Sequence, residues 1–101
     1  MALIPSEQNL FVVDLHYVVS IDEIESALDA HVEFLEDNFA SGRFIASGPK
    51  IPRTGGVIIA MAPSRIELEA ILESDPFKQN GLADYSITEF RASMRAKQLN
   101  S

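Results

Sequence analysis

Between residues 10 and 19 the chain reads LFVVDLHYVV, a run of β-branched, aromatic and aliphatic side chains of strand length. With a period of two, Phe11, Val13, Leu15, Tyr17 and Val19 form a wholly apolar face, and Leu10, Val12, Asp14, His16 and Val18 form a mixed one. One dry face and one mixed face fit a sheet whose helices all lie on one side. At Ser20 the period changes. The segment SIDE, 20–23, is a capping box: Ser20 can accept from the Glu23 amide while Glu23 reaches back to the Ser20 amide, with Val19 and Ile24 at the flanking staple positions. Beyond it Ile24, Ala27, Leu28, His31, Phe34, Leu35 and Asn38 recur at helical spacing, and Gly42 supplies a stop.

The rest of the chain repeats this grammar. RFIASGP, 43–49, predicts a second strand ending at Gly48-Pro49; KIPRTGG predicts a turn; VIIAMA, 57–62, predicts a third strand, being short and β-branched. Ser64 with Glu67 forms a second capping box ahead of Leu68, Ile71 and Leu72 on one helical face. SDPF interrupts that helix, KQNG turns the chain, and DYSITEF, 84–90, alternates as a fourth strand. The order β-α-β-β-α-β predicts an α+β fold of ferredoxin-like topology, a four-stranded antiparallel sheet with two helices on one face.

Composition narrows the class. A chain of 101 residues, 47% apolar and 23% charged, is of the size and make-up of one globular domain. No apolar run approaches a membrane span, and MALIPSEQN has neither a basic start nor a long apolar stretch, so a cytoplasmic protein with no membrane partner is expected. Cysteine is absent, which excludes disulfides, thiol catalysis and thiolate metal sites. The net charge is −7, no Lys or Arg precedes Arg43, and residues 22–37 hold Asp22, Glu23, Glu25, Asp29, Glu33, Glu36 and Asp37. Such a surface repels phosphate backbones, which argues against a nucleic-acid partner; the acidic run itself reads as a solvated helix face.

Candidate chemistry centres on His31. Its place in the apolar stripe aims it at the sheet, where a lone histidine is ordinarily a core residue satisfied by backbone or water. Asp75 changes that reading. It stands seven residues after Leu68 and four after Ile71, extending the buried face of the second helix. A carboxylate beside an imidazole fixes the tautomer and stabilises the imidazolium, as a general base requires. Asp75 also has a local role available, as N-cap of a short helix with Pro76 at its first position and Gly81 at its end. The two roles are compatible. His16 lies on the opposite sheet face, and the scattered carboxylates carry no metal-ligand spacing, so neither a metal nor a cofactor is expected. Ser47 has no nucleophile motif around it, and GPKIPRTGG joins two strands where a phosphate loop would open a helix. The mixed sheet face, with Val12, Val18 and Ile45, needs a cover, and a homodimer packed through that face supplies one.

Four pieces in order, AHVEFL, GRFIASGP, GGVIIAMA and ESDPFKQNGLADYSITEF, resemble the YciI-like family of small dimeric α+β barrel proteins over residues 10–91. The resemblance implies a ferredoxin-like subunit, a homodimer, and a His–Asp pair in a pocket between helices and sheet. Its histidine falls on His31, its aspartate on Asp75, and its pocket-lining strand end on Ser47, Gly48 and Pro49. On that basis the chain divides into an N-terminal extension (1–9), a YciI-like domain (10–92) and a C-terminal tail (93–101), the two ends being free to cover the pocket or the dimer edge. Most members of the family have no assigned reaction, while a related member eliminates chloride from a chlorinated hydroxyhydroquinone. The expected function is cofactor-free elimination or isomerisation of a small cyclic or aromatic molecule by His31 and Asp75. A non-catalytic ligand-binding or accessory protein is the alternative, and an interaction domain using the acidic helix a third.

Overall fold

The alternation in the first apolar run becomes strand β1 (Asn9–Tyr17), whose inward residues Phe11, Val13 and Leu15 are at most 3% exposed. The structure is a computed structural model and describes residues 4, 5 and 8–100. After β1 come α1 (Ile21–Ala40), β2 (Phe44–Pro49), β3 (Gly55–Ala62), α2 (Arg65–Leu72), α3 (Pro76–Gln79) and β4 (Ala83–Phe90), then a 3₁₀ turn, Lys97–Asn100. All strand pairings are antiparallel in the order β2-β3-β1-β4. The fold is α+β and ferredoxin-like, with its helices on one face of the sheet. No described helix is long and apolar enough to cross a membrane.

Capping explains where the helices begin and end. The Ser20 hydroxyl accepts from the Glu23 amide at 3.3 Å, and the Ser64 hydroxyl from the Glu67 amide at 3.2 Å. These bonds satisfy amides that the first helical turn leaves without partners. α1 and α3 both stop on a glycine in the left-handed region, Gly42 at φ 82° and Gly81 at φ 65°. In each case the following two amides fold back on the last carbonyls: Gly42 to Phe39 and Arg43 to Asn38, Gly81 to Lys78 and Leu82 to Phe77. β1 ends two residues earlier than the apolar pattern runs. The chain must turn into α1 there, and Val19 becomes the staple that packs on the core beside the fully buried Ile24.

Ile24 and Phe34 from α1, Leu68 and Leu72 from α2 and Phe77 from α3 close over the inner sheet face. Each side chain of this size contributes about 1.5–3 kcal/mol through burial. The other sheet face carries a small second cluster, Ile4, Leu10, Met61 and Ala92, with Ile45 and Leu99 against it. Arg95 pins it by donating to the Ile4 carbonyl at 2.9 Å and the Ala92 carbonyl at 3.0 Å. Ile4 of the leader and Leu99 of the tail thus close one end of the helix-free face. Farther along that face Val12 and Ile59 are half-buried, Asp14 pairs with Lys50 at 2.6 Å, and His16 is exposed.

Candidate active site

A cavity of about 420 Å³ opens between α1, α3 and the inner face of the sheet. That is the scale of a small-molecule site. Its apolar walls include Leu28, Leu35, Ile58 and Phe77. His31 reaches it because residues 24, 27, 28, 31, 34 and 35 share one stripe of α1, and only 8% of the residue is exposed.

Asp75 comes from a place the helical pattern did not indicate. α2 ends at Leu72, and Asp75 sits in the extended link that opens α3, its amide donating to the Leu72 carbonyl at 3.0 Å. Its side chain does both jobs open to it. One oxygen accepts from the Phe77 amide at 3.0 Å, capping α3, and lies 2.8 Å from His31 Nδ1. Its other oxygen accepts from the Tyr85 hydroxyl. A carboxylate that is 0% exposed needs such donors, since an unpartnered polar group would cost several kcal/mol. Burial pushes the Tyr85 hydroxyl far above its ordinary range, and the Asp75 charge and the hydrogen bond to it push the same way. Tyr85 therefore stays a donor across the working pH range.

The imidazole lies flat on the Phe77 ring, with centroids 3.8 Å apart and planes within 3°. Phe77 is the residue whose amide Asp75 caps, so one short helix fixes both the plane and the partner of His31. With Nδ1 donating to the carboxylate, the neutral ring carries its lone pair on Nε2. Among the described residues Nε2 has no hydrogen-bond partner, and no buried side-chain nitrogen or oxygen is left orphaned, so this nitrogen meets the cavity.

Ser47, Gly48 and Pro49 form part of the opposite wall. A β-bulge is the cause: Phe44 pairs with Ala60, but Ala46 pairs with Ile59 and Ser47 with Ile58. Without the extra residue, strand alternation would turn Ala46 and Gly48 towards the helices; with it, Ser47 shares the face of the buried Ile58. Arg53, in the β2–β3 hairpin, also lines the cavity and donates through Nη1 to Glu25 of α1 at 2.5 Å. The Glu25 carboxylate, and after it the Tyr17 hydroxyl, raise the pKa of this guanidinium.

The sequence-predicted residues divide cleanly. His31, Ser47, Gly48 and Pro49 line one cavity and Asp75 stands directly behind His31, whereas His16 is on the far face, paired with Gly55 and Asp84. The structure adds Tyr85, Phe77, Tyr17 and Arg53 to the residues that the sequence singles out for this site. Tyr85 had a signal, because alternation in DYSITEF places it with Ile87 on one face, but which face met the helices was undetermined. Arg53 had none, being one polar residue in a Gly/Pro-rich turn. Among the described residues no group of three or more His, Cys, Asp or Glu is placed to hold a metal ion.

No curated protein matches the chain. Among solved structures, the 5-chloro-2-hydroxyhydroquinone dehydrochlorinase from Burkholderia phenoliruptrix AC1100, in complex with 2,5-dihydroxybenzoquinone, superposes with a TM-score of 0.69 over 91% of this chain and 99% of that one. The two are 22% identical, a likeness of fold. The profile of the YCII-related domain matches residues 6–91. The chain belongs to the YCII-related domain family.

Proposed function

We propose that the protein is an enzyme that removes a proton from a small cyclic or aromatic compound and completes an elimination or an isomerisation without a cofactor. The observation that carries this reading is the 2.8 Å His31–Asp75 pair with the other imidazole nitrogen turned into an open cavity. Nε2 of neutral His31 takes a proton from the ring substrate. The electron pair released moves into the ring and expels a leaving group as its anion, after which the imidazolium gives its proton to solvent. In an isomerisation the same proton returns to a different ring carbon. Asp75 faces the imidazolium throughout, and Tyr85 and the Phe77 amide hold the carboxylate still. General-base assistance of this kind accelerates a reaction by about 10²–10⁴-fold. Ser47 and the backbone of Gly48 and Pro49 border the bound ring. The structural neighbour's named activity, dehydrochlorination of a hydroxyhydroquinone, falls in this class. The working assembly in this reading is a cytoplasmic homodimer joined through the helix-free sheet face.

Chloride release from 5-chloro-2-hydroxyhydroquinone and related chlorinated phenols tests it, with 2,5-dihydroxybenzoquinone as the binding probe. Turnover by the native chain, reduced at least about 100-fold in His31→Gln and in Asp75→Asn with circular dichroism unchanged, is the expected result. Asn is itself a good N-cap, so Asp75→Asn keeps α3 while removing the charge. Quinone binding without any turnover would instead mark a ligand-binding protein, and turnover indifferent to His31→Gln would remove the histidine from the chemistry.

A further inference from the structure

The apolar cavity has one cation on its wall. Arg53 is the only Lys or Arg lining it among the described residues, and it arrives from the β2–β3 hairpin while His31 arrives from α1. Its partner Glu25 lies six residues before His31 on α1, a rise of about 9 Å along the helix axis. The guanidinium is therefore held away from the imidazole, with Leu28 of α1 between the two levels.

The Arg53–Glu25 bond is of a kind easily exchanged. The two side chains are 37% and 48% exposed, and solvent-exposed ion pairs contribute little net stability. Only Nη1 of the guanidinium is engaged by Glu25, so the planar fork retains donors for a second carboxylate or phenolate. The Tyr17 hydroxyl beside it adds another polar group to the same corner of the cavity.

We propose that Arg53 is the counter-ion for an acidic substituent, a phenolate or a carboxylate, on a single aromatic ring, and that Glu25 competes with that substituent for the guanidinium. The assignment rests on the cavity being a substrate site and adds the charge class of the substrate. A flat ring against Leu28, Val32 and Ile58 presents one edge to His31 Nε2 and its acidic group to Arg53. Arg53 thus selects for charge and positions the ring, while His31 moves the proton.

Benzoate and benzyl alcohol are nearly the same size and differ in charge, which makes them suitable probes for titration of the full chain by calorimetry or NMR. The native protein is expected to bind benzoate about tenfold more tightly than benzyl alcohol, the usual worth of a charge-assisted hydrogen bond. Arg53→Gln is expected to abolish that preference without changing benzyl alcohol binding. Glu25→Gln, which frees the guanidinium, is expected to strengthen benzoate binding several-fold and again leave benzyl alcohol unchanged. Equal affinities in the native protein, binding of neither probe, or a preference that survives Arg53→Gln would each overturn the assignment. Turnover in His31→Gln is a separate arm: loss there without an Arg53-dependent preference removes the charge class and leaves the acid–base reading standing.

Discussion

Asp75 links local structure to chemistry. One carboxylate caps α3, orients His31 and receives Tyr85, so removing any donor leaves a buried negative charge short of a partner. Tyr85→Phe is therefore expected to destabilise the chain by about 1–3 kcal/mol near neutral pH, measured by urea unfolding. The pH dependence follows from the raised pKa of this hydroxyl. Above the ordinary tyrosine value, about 10, the unfolded chain loses the proton that the native chain keeps. The native state then binds more protons, so stability conferred by Tyr85 is complete below pH ~10 and falls as the pH rises beyond it. Tyr85→Phe should flatten that alkaline fall relative to the native chain; an identical slope in both would mean that Tyr85 ionises freely. Much of this site is legible in the chain. His31 sits in a stripe of apolar residues, and Asp75 precedes a proline in a capping position. Their pairing is implied by the family resemblance, whereas periodicity alone does not give the contact, which depends on how α3 packs against α1, far apart in sequence.

At the scale of elements, the short α3 and the bulge in β2 do more than the long helix they face. α3 is only Pro76–Gln79, and its ends are set by Asp75 and by Gly81 in the left-handed region. A side chain at that φ costs about 1–2 kcal/mol. Gly81→Ala is expected to lower stability by that amount in urea unfolding and to weaken the Phe77 platform under His31, which NMR ring-current shifts of the imidazole protons would report. Retention of both native stability and native shifts would show that α3 does not depend on its glycine. Helices, strands and their order are readable from periodicity, capping boxes and glycine stops. The β2 bulge is not, since FIASGP alternates no differently with or without it, and only pairing with β3 reveals that Ser47 has changed face. Asp75 caps α3 as its place before Pro76 predicts, but it does not extend the buried face of α2, for a related reason. Helical periodicity extends past Leu72 on paper, but the backbone turns extended before Pro76.

For the whole molecule, the two sheet faces divide the work. The helix side holds the main core and the cavity; the other side holds a small cluster at one end and leaves Val12 and Ile59 only half-covered by the chain itself. The proposed homodimer would bury that remainder. Light scattering is expected to give a mass near twice 11.1 kDa, and Val12→Lys, which puts a charge at the centre of the face, is expected to give the monomer. A native mass of one chain would exclude the dimer. The chain's two ends belong to the same face, through Ile4, Ala92 and Leu99, an arrangement no periodicity announces because it joins residues nearly the whole chain apart. The chemistry turns on neither face alone but on one nitrogen atom, Nε2 of His31. Two-bond ¹H–¹⁵N spectra of the histidine side chains, recorded with and without 2,5-dihydroxybenzoquinone, examine it directly. For the neutral His31 ring they should show the proton on Nδ1, and the quinone should move the Nε2 resonance while leaving His16 untouched. A proton on Nε2, or a quinone that disturbs neither nitrogen of His31, would contradict an Asp75-oriented base facing the substrate cavity.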